Sequence, residues 1–95
     1  MSEAYKKGRA AENYIKHKLF DMGAKVVIRS AGSKGLFDLV AIFPKSEDIW
    51  LVQVKGSEEN VHRKTRMEMA KFKGLYKVTP VIIRKVGRRY EIEKL

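Results

Sequence analysis

The chain has 95 residues, enough for one hydrophobic core and too few for two, so residues 1–95 read as a single domain. Its 21 Lys and Arg outnumber 11 Asp and Glu, and the net charge of +10 points a folded chain of this size toward a polyanion, most often nucleic acid. It has no Cys, which excludes disulfides and thiolate metal sites and fits an intracellular setting. No apolar run reaches the ~18 residues of a membrane span, and no signal-peptide core opens the chain.

Ser2 can cap a helix running to about Met22, with Gly23 as its terminator. Ala4, Gly8, Ala11, Ile15, Leu19 and Met22 fall on one stripe at helical spacing. Glu12 stands at the edge of that stripe, where a carboxylate either meets solvent or faces a site. Lys25 to Ser30 reads as a strand. The loop Ala31-Gly32-Ser33-Lys34-Gly35 suits a turn or a backbone approach to phosphate, without Walker-type spacing.

Leu36 to Phe43 and Ile49 to Lys55 are two further strands, separated by the polar turn Pro44-Lys45-Ser46-Glu47-Asp48. Both look buried on two faces, yet each carries polar groups. Side chains alternate along a strand, so Asp38 shares a face with Val40 and Ile42, and Gln53 and Lys55 share one with Ile49 and Leu51. Gln53 is the only Gln in the chain.

A second helix is expected from about Glu58 to Tyr76, with Val61, Thr65, Met69, Phe72 and Tyr76 facing inward. Arg63, Arg66, Lys73 and Lys77 fall on another face, which is either a solvated surface or a set of phosphate contacts. Pro80 closes that segment, and Val81 to Lys85 and Arg89 to Glu93 form a hairpin around Gly87. The order is αβββαββ, an α/β arrangement with a sheet flanked by helices.

Glu12, Asp38, Gln53 and Lys55 are the residues that need a chemical explanation. Carboxylates and a neighbouring amide oxygen are hard ligands of the kind Mg²⁺ or Mn²⁺ prefers. A Lys two residues beyond a ligand can stabilise charge developing on phosphate. Together they suit metal-assisted phosphodiester hydrolysis. His17 and His62 lack metal-ligand spacing and read as surface residues.

In order, the segments GRAAENYI, RSAGSKG, FDLVA and LVQVKG resemble the PD-(D/E)XK nuclease superfamily, and within it the archaeal Holliday junction resolvases and their viral or phage relatives. The resemblance covers roughly residues 7–57 in motif. It implies a restriction-endonuclease-like fold with a mixed central sheet. Glu12 would match the family's helix acid, Asp38 its central metal-binding acid and Lys55 its motif lysine. Ser30, with Ser33 and Lys34, lies where resolvases carry a Ser-containing loop. Arg9 would face the DNA backbone, and Arg29, Arg63, Arg66 and Lys73 join it as candidate nucleic-acid contacts. The implied protein is a Mg²⁺- or Mn²⁺-dependent DNA endonuclease. It would act on branched substrates in recombination and repair as a homodimer, with the Val81–Ile92 hairpin as a candidate contact.

Gln53 departs from the pattern, which usually has Glu or Asp there. An amide oxygen can ligate a metal but carries no charge. Either metal binding is weaker, or Glu12 contributes more, or the chain is a non-catalytic nucleic-acid-binding protein that keeps the nuclease fold. An RNA-binding ribosomal-type protein would explain the charge but not the Asp38, Gln53 and Lys55 pattern.

Overall fold

The computed structural model describes residues 3–30, 36–56 and 61–95, with side chains described from residue 10 onward. Helix α1 (Glu3–Asp21) precedes three strands, β1 (Val26–Arg29), β2 (Leu39–Phe43) and β3 (Asp48–Gly56). Helix α2 (Arg63–Ala70) and a 3₁₀ turn (Leu75–Lys77) lead into β4 (Val78–Val86) and β5 (Arg89–Lys94). The predicted order of elements is therefore present. The strands form one mixed sheet in the order β1-β2-β3-β4-β5. Only β3 and β4 are parallel; the other neighbours are antiparallel.

The two faces of the sheet differ. Helix α1 covers one with Ile15 and Leu19, which are fully buried against Leu39, Ala41, Val52, Val81 and Ile83. Each such aliphatic side chain contributes about 1.5–3 kcal/mol relative to exposure. The opposite face holds a smaller cluster, Val61, Met69 and Ile82, with Phe37 and Leu95 against it. Over β1 to β3 this second face is only partly covered. Val26 and Ile28 are exposed, and Val40, Ile42, Ile49 and Leu51 are half-buried. The strands that read as buried on both faces are thus fully buried on one.

Helix α2 is shorter than predicted, and its inward stripe ends early. Val61 and Met69 are buried, but Phe72 is exposed and Tyr76 is 89% exposed. Gly74 adopts φ 80° beyond the helix, and Tyr76 and Lys77 follow at φ 50° and 59°. This left-handed stretch breaks the helical periodicity before the chain turns into β4. Pro80 was expected to precede the strand but lies within it, paired with Leu51. Its carbonyl accepts from Leu95 N–H at 3.0 Å, so its missing N–H lies on that same side and removes no bond to β3. Of the hairpin expected to offer a dimer contact, Val81, Ile82 and Ile83 are buried within the chain itself, whereas Ile92 is exposed.

Candidate active site

The site forms where β2 and β3 part. Asp38 N–H donates to Val52 O at 2.8 Å, whereas its own C=O accepts from Ser30 N–H at 2.9 Å. In a regular strand both groups point to the same neighbour. Here they point to opposite neighbours, so the chain twists at Asp38, and β2 begins one residue later rather than at Leu36. The carboxylate takes over as the next acceptor, and Val54 N–H donates to Asp38 Oδ2 at 2.8 Å. The acid is therefore fixed by a backbone bond at the end of a ladder, instead of standing in a regular strand position beside Val40.

On β3 the predicted alternation holds. Gln53 and Lys55 lie on the face of Ile49 and Leu51, the one that also carries Ile82 of β4. The last β2·β3 pair is Leu39 with Val52, so Asp38 and Gln53 stand at the next step of adjacent strands. Gln53 Oε1 is buried and has no hydrogen-bond partner among the described residues. An unpartnered buried amide oxygen costs about 1–3 kcal/mol, and its chemistry is that of a hard neutral ligand. Mg²⁺ is typically held by one or two carboxylates and keeps several waters. The Asp38 carboxylate and the Gln53 oxygen fit that sparse donor set. Among the described residues no three of His, Cys, Asp and Glu gather to make a richer one.

Glu12 approaches from α1 but is engaged. Its Oε2 lies 3.0 Å from Arg29 Nε on β1, with the side chains 21% and 34% exposed. Two residues predicted for separate roles, a metal-site acid and a phosphate contact, are paired with each other. The guanidinium neutralises part of the charge that Glu12 would offer a cation.

The remaining candidates are dispersed. Ser30 is exposed, next to Arg29. Arg66 forms two hydrogen bonds to Glu93 of β5, at 2.6 and 3.0 Å. These bonds hold the Glu93 carboxyl below its ordinary range and push the Arg66 guanidinium up. Arg66 thus ties α2 to the sheet. Arg63 and Lys73 are exposed. The Arg9 side chain, Ser33 and Lys34 lie outside the described residues.

One basic cluster escaped the sequence reading. Lys85, Arg88 and Arg89 surround the β4–β5 turn at the same end of the sheet as Lys55, since Lys55 pairs with Arg84 and Gly56 with Lys85. The signal was present in KVGRRY, which the hairpin pattern alone had absorbed.

No family model matches the chain, and no curated protein does. Among solved structures it is similar to Hjc, a Holliday junction resolvase from the archaeal hyperthermophile Archaeoglobus fulgidus. The match has a TM-score of 0.73 at 20% identity and covers 93% of this chain and 72% of that one. The fold is that of an archaeal Holliday junction resolvase. Within this restriction-endonuclease-like fold, Asp38 and Gln53 stand where β2 and β3 part, with Lys55 two residues along β3.

Proposed function

We propose that the chain is a Mg²⁺- or Mn²⁺-dependent endonuclease that hydrolyses phosphodiesters in branched DNA, as a resolvase-like homodimer serving recombination or repair. The observation that carries this reading is the pairing of a fixed carboxylate, Asp38, with the orphaned buried oxygen of Gln53 one strand away, on a fold shared with Hjc. Asp38 and Gln53 would hold the cation, which would supply polarisation of the phosphoryl oxygen and activation of water. Lys55, two residues along the same face, stabilises the negative charge that grows on the phosphate. Glu12 and Arg29 form an ion pair under α1 at the same end of the sheet.

The homodimer draws support from the half-open face of β1 to β3. Val26, Ile28, Val40, Ile42, Ile49 and Leu51 form an aliphatic surface without a charged residue, in a chain that is 34% charged. A polyanion has nothing to bind there, whereas a second copy presents the same surface in a two-fold, self-complementary contact.

A second reading, a non-catalytic DNA-binding protein, is favoured by the Glu12–Arg29 pair and by the neutral Gln53. The two readings separate in one experiment: labelled four-way junction, flap, duplex and single-stranded DNA are incubated with Mg²⁺, with Mn²⁺ and with chelator. Metal-dependent cleavage concentrated on the junction supports the nuclease. A shift of the junction without cleavage under any metal supports the binder.

A further inference from the structure

The turn between β4 and β5 is a second feature of the site end of the sheet, and it is built rather than incidental. Tyr14 of α1 donates its hydroxyl to Arg88 O at 2.6 Å, tying the helix to the turn. Lys85 Nζ donates to Gly87 O at 2.9 Å within the turn itself. Lys85 and Lys18 both place their ammonium groups over the Tyr14 ring, at 5.3 and 5.4 Å from its centroid. Arg88 and Arg89 are exposed beside them.

Four cations are thus gathered around one turn. The two lysines share a single ring, within about a Debye length of each other at ~0.1 M salt, where like charges still repel. An aromatic face offsets part of that repulsion, and an anion would offset more. The arrangement also has a direction. Glu12 and Arg29 flank one side of α1, and Tyr14 with the turn flanks the other, both at the end of the sheet where Asp38 and Lys55 lie.

We propose that this turn, held to α1 by Tyr14, is a binding site for the phosphate backbone of duplex DNA, contacted by Lys18, Lys85, Arg88 and Arg89. The proposal rests on the nuclease reading for its role, which is to seat a duplex arm beside the strand to be cut. Duplex backbone is favoured over unpaired bases because Tyr14 is not a stacking platform. Its ring packs against the core and lies beneath two ammonium groups, and its hydroxyl is engaged. Phosphate contacts of this kind position the nucleic acid without reading its sequence.

The test is equilibrium binding of linear duplex and four-way junction in chelator across a salt series, using the full chain. Replacing Lys85, Arg88 and Arg89 together by Ala should weaken both substrates by about 10–100-fold near 0.15 M salt. It should also flatten the slope of log affinity against log salt by about 2–3 units. Arg88→Lys with Arg89→Lys should restore most of the slope, because charge rather than shape carries the contact. Tyr14→Phe, which frees the turn but keeps every charge, should cost a few-fold in affinity with the slope unchanged. A triple variant that is folded by circular dichroism and binds both DNAs with wild-type affinity and slope overturns the proposal. So does a wild-type chain that binds neither. If the wild type binds with these dependences but never cleaves, the turn stands and the nuclease reading falls.

Discussion

Asp38 and Gln53 are both polar groups on apolar strands, but the structure separates their roles. The Asp38 carboxylate satisfies Val54 N–H, and an amide oxygen can do the same. Asp38→Asn should therefore stay within about 1 kcal/mol of wild-type stability, whereas Asp38→Ala orphans the N–H and should cost about 1–3 kcal/mol. Urea titration of the two variants distinguishes them. Gln53 has the opposite signature, since its buried Oε1 is satisfied by nothing described. Gln53→Met should raise stability in chelator by about 1 kcal/mol and abolish stabilisation by added Mg²⁺. Gln53→Glu should tighten Mg²⁺ binding about tenfold or more, because it adds a charge to the ligand set, and calorimetric titration measures it. If neither variant changes the response to metal, Gln53 lies outside the metal site. That Gln53 and Lys55 share a face of β3 was legible in the sequence because alternation along a strand is fixed. The pairing of Glu12 with Arg29 was not, because it depends on how α1 crosses the sheet, which no local spacing encodes.

At the level of elements, α2 shows where periodicity misleads. Its apolar pattern runs on to Tyr76, yet the helix stops at Ala70 and left-handed residues from Gly74 onward carry the chain to β4. Gly74 at φ 80° has open space around its Cα, so Gly74→Ala should cost about 1 kcal/mol through backbone strain alone. What holds the short helix is partly the Arg66–Glu93 pair. Glu93 is held below its ordinary 4.5 by Arg66. Its contribution is present above the unfolded carboxylate range and is lost as the pH falls through the depressed value. Both partners are about a third or more exposed, so Arg66→Ala should cost only about 0.5–1 kcal/mol at pH 7. That difference from wild type should vanish well below pH 4.5. A pH series of thermal unfolding curves for the two proteins checks it; a gap that persists in acid would assign the loss to packing instead. The five strands were readable from their apolar runs and turn residues, and even Pro80 misplaced a boundary rather than an element.

At the scale of the molecule, the sheet divides its labour. One face is sealed by α1, one half-face is aliphatic and uncharged, and one end gathers Asp38, Lys55 and the basic turn. The composition pointed to a polyanion but not to a surface for it, because the basic residues are spread along the chain and only the sheet register collects some of them. The open half-face was hidden for a related reason: strand patterns show which residues share a face, not which faces find a cover. Ile28 is 54% exposed on that surface, so Ile28→Lys should leave monomer stability nearly unchanged while converting a dimer to a monomer. Analytical ultracentrifugation of wild type and variant at micromolar concentration decides this; a monomeric wild type would remove the two-fold assembly from the account. The most direct test of the whole is single-turnover cleavage of a labelled four-way junction by wild type and Asp38→Asn, with junction affinity measured on the same samples. The account predicts Mg²⁺-dependent cleavage by the wild type and none by Asp38→Asn, at closely similar affinity. Wild-type rates from Asp38→Asn, or cleavage that persists in chelator, would contradict it.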